Sequence, residues 1–124
     1  MTLRRLSLLQ WFGVLGAAAA AAGQFLSGTV VSIAACNPGS HRWGIPHDTV
    51  QLSLLLAGAL LVLAAEAAAI AVFRATRGID DEGAPPQGRL HFFATAAIAA
   101  NVIFLMIVLL TGIGVLSERV CRQA

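Results

Sequence analysis

Polar positions cut this chain into three long apolar runs. No charged residue stands between Arg5 and His41, and the apolar core of that stretch is roughly Trp11 to Ala34, about 24 residues. The second run is Thr49 to Phe73, about 25 residues, broken only by Glu66. The third is Phe92 to Leu116, about 25 residues without a charge. At about 1.5 Å of rise per residue, each is long enough as a helix to cross a hydrocarbon layer of about 30 Å. Each also exceeds the roughly 18-residue length beyond which a buried helix of a soluble protein becomes the poorer explanation. The pattern predicts an all-α integral membrane protein. Its three transmembrane helices cover about 11–34, 49–73 and 92–116, in a single membrane domain spanning 1–124.

Helix breakers and charges mark the connections. In 36–48, Asn37, Pro38 and Gly39 interrupt helix, and Trp43 offers an interfacial anchor. The polar loop 74–89 carries Asp80, Asp81, Glu82 and the Pro85–Pro86 pair. Contiguous acids point in different directions, so these three read as a solvated turn. Arg4, Arg5, Arg74, Arg77 and Arg89 fall on one side of the membrane, and Arg42, Arg119 and Arg122 on the other. The richer side is expected to be cytoplasmic. This places the N-terminus inside and the C-terminus outside, for a multi-pass protein of a bacterial inner membrane. Arg4–Arg5 and the segment near Ala22–Gly23 also have the outline of a cleavable signal peptide. The apolar run continues to Ala35, past the usual 7–15 residues of such a signal, so an uncleaved first helix is expected.

Composition agrees with this reading and excludes others. Hydrophobic residues make up 58% of the 124 and charged ones 11%, against about a quarter charged in soluble domains. The net charge is +2 and every basic side chain is Arg, but no basic stripe is interleaved with aromatics, so nucleic acid is not an expected partner. Membrane lipids and other transmembrane subunits are. Two cysteines fit no zinc spacing.

Glu66 is the most informative single residue. A charge at the centre of a membrane helix costs about 2.5–3.5 kcal/mol, so the carboxyl needs a partner, a water-lined cavity or its own proton. Asn101 lies at a depth within roughly 3 Å of Glu66, counting inward along the two helices at about 1.5 Å per residue. An intramembrane Glu66–Asn101 hydrogen bond is therefore expected, with Gln24 a lesser third member. The alternatives for Glu66 are packing glue and proton or ion transport. Cys36 and Cys121 fall at the same outer end, where an oxidising compartment favours a disulfide. The sharper alternative adds His41 and His47 to the two thiols as a copper site, since soft thiolates select Cu(I). His91 reads as an interface residue, because no histidine stands at mid-membrane to serve as a haem ligand; no cofactor is expected. Small residues four apart (Gly16, Ala20; Ala64, Ala68; Ala96, Ala100) allow close helix approach. Gly13 and Gly23 belong to the same class on the first helix. No nucleophile–base pair or paired carboxylates stand out, so no catalytic residue is assigned and no enzyme activity is expected.

Several short elements together resemble a family. They are Trp11 with Gly13 and Gly16 at the head of the first helix, Cys36 at its end, His47 opening the second, Arg89–His91–Phe92–Phe93 entering the third, and Cys121 beyond it. The layout resembles small three-helix bacterial membrane proteins encoded near haem–copper cytochrome c oxidase genes. Glu118, Arg119 and Val120 stand where that family has a proline before its last cysteine. The resemblance implies an accessory or assembly role near a respiratory oxidase. The expected function is a non-catalytic accessory subunit of a larger inner-membrane complex. The alternatives are a copper-handling assembly factor and a small oligomeric transporter or channel built on Glu66.

Overall fold

The computed structural model of the chain describes residues 2–37, 44, 46–80, 82–117 and 121. Its elements are three helices, α1 (Leu3–Cys36), α2 (His47–Ala75) and α3 (Gln87–Ser117), with no strand among the described residues. All three are long and apolar enough to cross a membrane.

Each helix runs past the apolar core from which it was predicted. The extension is largest in α1, which begins at Leu3 rather than near Trp11. Nothing in the first ten residues breaks helix, and the Thr2 carbonyl accepts from the N–H groups of Arg5 (3.0 Å) and Leu6 (3.1 Å) to start it. An apolar run marks the part of a helix that lipid covers, whereas hydrogen bonding continues until a breaker or a lost donor stops it. At the other end of the first connection, α2 starts directly after Pro46, whose carbonyl accepts from Val50 N at 3.0 Å. α2 closes at Thr76, whose hydroxyl donates back to the Val72 carbonyl at 2.9 Å. Two residues on, Gly78 takes φ +94°, a left-handed conformation that glycine adopts without a Cβ clash and that turns the chain out of the helix. The loop predicted over 74–89 is correspondingly shorter, because Arg74 and Ala75 still belong to α2 and Gln87–Arg89 begin α3.

Close approaches between helices define the register. Gly13 of α1 lies against Ala69 of α2, and Gly16 against Ala65; Gly58 of α2 faces Val108 of α3, and Leu55 faces Gly112. Sequential helices are therefore antiparallel, and α1 runs parallel to α3. The shared interior is built from small and β-branched residues: Ala17, Ala65, Val62, Val72, Ala94 and Val108 are all essentially fully buried. Large side chains point the other way, with Leu26, Val30, Ile33, Leu60, Ile103 and Leu110 all well exposed. That inversion of the soluble arrangement follows from the solvent. Lipid tails are as apolar as leucine, so burying leucine between helices gains little, and helices associate through close packing and polar contacts instead.

Candidate functional site

Polar side chains buried inside the bundle form a series from one end to the other. At the Cys36 end, Cys36 and Cys121 are joined in a disulfide with Cα atoms 5.3 Å apart, tying the end of α1 to the residue four beyond α3 across 85 positions of sequence. One turn inward from Cys36, Ser32 of α1 meets His47 of α2. His47 Nδ1–H donates to the Asp48 carboxylate (3.0 Å), and Nε2 accepts from the Ser32 hydroxyl (3.3 Å). The Ser32 oxygen in turn accepts from Gln51 Nε2 (3.1 Å), whose other hydrogen goes to the Gly28 carbonyl (2.8 Å). Every donor in this chain is used once, so α1 and α2 are clasped at three points.

The order carboxylate, imidazole, hydroxyl is that of an activated serine. Two features argue for a clasp instead. Gln51 donates into the hydroxyl oxygen and draws on the lone pairs a nucleophile needs. Ser32 also lies within α1, where backbone N–H groups are committed to the helix and none is left to stabilise an oxyanion.

Deeper in, Gln24 reaches from α1 between the other two helices. Its Nε2 donates to the Val108 carbonyl of α3 at 3.2 Å, and its amide lies against Gly58 and Gly112, where a Cβ would come within 3.1 Å and 3.0 Å of it. Asn101, entirely buried on α3, donates from Nδ2 to the Gly13 carbonyl of α1 at 3.1 Å. Gln24 and Gln51 thus sit where glycines on facing helices leave room for them, and Asn101 donates to the carbonyl of a glycine on α1. A side-chain amide in hydrocarbon must find a partner, and a glycine opposite it exposes a backbone or clears the space. At the far end, the Thr76 oxygen contacts His91 Nδ1 at 2.9 Å, and the imidazole stacks on Phe73 with centroids 4.9 Å apart.

The expected Glu66–Asn101 bond is not made, and this corrects the sequence reading. The two residues are level, as the register set by Gly58–Val108 and Leu55–Gly112 requires, but they face different ways. Asn101 points across the interior to α1, whereas Glu66 stands on the flank of α2 that turns towards α3. Its residue is only partly covered, and its Oε2 is enclosed without a hydrogen-bond partner. The Gln24 and Asn101 carbonyl oxygens are likewise enclosed and unpartnered, so each amide uses only its donor side.

Of the four residues weighed as a copper site, the three described ones are not brought together as ligands. Both sulfurs are spent on the disulfide, and His47 is engaged by Ser32 and Asp48. His41 lies outside the described residues. Among the described residues no three His, Cys, Asp or Glu side chains gather. Of the predicted small-residue faces, Gly13, Gly16, Ala20 and Ala68 are in helix contacts, while Gly23, Ala64 and Ala96 are open. The glycines that sequence reasoning missed are Gly28, Gly58 and Gly112. The signal that could have found them is a Gln or Asn on one helix at the depth of a glycine on the next.

Outside the bundle, α1 and α2 leave a groove of about 530 Å³, its floor formed by Gly16, Ala20 and Gly23 and one end by Trp11 and Phe12. Leu54, Ala57 and Leu61 form the α2 wall. Comparison with known protein families, with curated proteins and with solved structures finds no match for this chain.

Proposed function

We propose that this protein is a non-catalytic accessory subunit of a larger inner-membrane complex of the respiratory chain, with its Arg74 and Arg89 end in the cytoplasm. The observation that carries the reading is the groove between α1 and α2. The amide donors of Gln24, Gln51 and Asn101 are used in holding the three helices together, and the groove lies on the outer surface. A groove about 530 Å³ in volume, floored by Gly16, Ala20 and Gly23, accepts the ridge of side chains on a neighbouring transmembrane helix, since small residues let backbones approach. The Ser32–His47–Gln51 clasp joins the two groove walls beside the groove, which reduces the ordering cost of docking.

A photoreactive amino acid at Ala19, on the groove, is expected to cross-link in native membranes to one integral-membrane protein identifiable by mass spectrometry. The same reagent at Ile103, on the exposed face of α3, is expected to label lipid. Lipid adducts alone at both positions would overturn the reading.

A further inference from the structure

We propose that Glu66 is the contact point for a partner transmembrane helix that carries an arginine or lysine at the middle of its span. The inference deepens the accessory-subunit reading by naming the chemistry of the partner, and it stands on a different flank of α2 from the groove. Glu66 is level with Asn101 in α3 and nine residues inside the Ala75 end of α2, so the carboxyl stands within the apolar span. At 100° per residue it lies beside Val62 and Phe73, on the side of α2 towards α3, away from Ala57 and Leu61 in the groove wall. One oxygen is enclosed with no donor in reach, although the bundle supplies donors to Gly13, Gly28 and Val108 carbonyls at similar cost. The residue as a whole remains partly uncovered, so a group from outside can approach the carboxylate through its other oxygen.

A second copy of this chain carries no cation at this depth. Lysine is absent, and all eight arginines lie outside the three apolar cores, with Arg74 eight residues (about 12 Å) along α2 from Glu66. The amides of Gln24 and Asn101 each donate to a carbonyl within their own bundle and are buried there. An intramembrane cation on a partner carries the complementary need, because each charge is costly in hydrocarbon alone and both are relieved by one pairing. A charge-assisted bond of this kind also fixes depth and rotation between the helices, which apolar contact leaves loose.

The test uses the purified full-length chain in phosphatidylcholine vesicles with fluorescent Leu–Ala transmembrane peptides bearing a central Arg or a central Leu. Energy transfer is expected to show the Arg peptide associating about tenfold more strongly than the Leu peptide, the size of effect a charged hydrogen bond gives. Glu66→Gln keeps the shape of the side chain and is expected to abolish the preference. In the chain alone, dicyclohexylcarbodiimide is expected to modify Glu66, and the Arg peptide to protect it. Equal association of both peptides, a preference that survives Glu66→Gln, or Glu66-dependent self-association without peptide would each overturn the proposal. Because the peptides are defined, a preference for Arg stands even where no native partner is recovered. Loss of that preference, with a native partner still bound, removes only the assignment to Glu66.

Discussion

Gly13→Leu is expected to destabilise the bundle by about 2–6 kcal/mol, enough to separate α1 from α2 in mild detergent. A Cβ at position 13 would already lie 3.1 Å from the Ala69 backbone nitrogen and 3.2 Å from its Cα. Backbone cannot turn aside as a side chain does, so the helices must part. Overpacking of this kind costs about 1–3 kcal/mol. The separation also breaks the bond from Asn101 to the Gly13 carbonyl and leaves a buried amide unpaired, adding about 1–3 kcal/mol. Asn101→Leu removes that bond without moving the backbones, and about 1 kcal/mol is expected for it. Unfolding followed in mixed micelles as the denaturing detergent fraction rises would measure both variants. Equal, small shifts for the two would show that Gly13 is not a helix contact.

The second large effect is expected from the disulfide. Replacing Cys36 and Cys121 together by Ser is expected to cost about 2–4 kcal/mol, with the same loss when the native protein is reduced. The bond closes a long loop, with 85 positions between its cysteines, and that separation favours a large entropic term. The term is moderated because unfolded helices in a bilayer are already confined to span it. Alkylation before and after reductant checks the premise: no reactive thiol is expected in the native protein, and two after reduction. The unfolding midpoint of the Ser variant then gives the magnitude, and an unchanged midpoint would show that the bond constrains nothing.

The spans were legible because charge cannot be hidden in hydrocarbon. Arg5, Arg74 and Arg89 bracket apolar runs whose length alone implies crossing, and antiparallel threading then puts Cys36 and Cys121 at one end. Depth was legible for the same reason, so Glu66 and Asn101 were placed level. Rotation was not. These helices are apolar nearly all round, so no polar stripe marks which face turns inward, and period alone cannot say whether Asn101 looks towards Glu66 or Gly13. The Ser32–His47–Gln51 clasp was missed because its members are scattered over two helices and mean nothing until rotation is known. The same holds for Gln24, whose place between Gly58 and Gly112 needs all three helices at once. A serine or glutamine in such a run reads as a tolerated polar residue until its neighbour is seen.

The measurement that tests the central claim most directly is mass spectrometry of the protein drawn gently from its native membrane in mild detergent, with free thiols blocked by alkylation. The account predicts stoichiometric integral-membrane partners, with Cys36 and Cys121 recovered as a linked pair. A stable solitary chain of 12.8 kDa with no partner would contradict it.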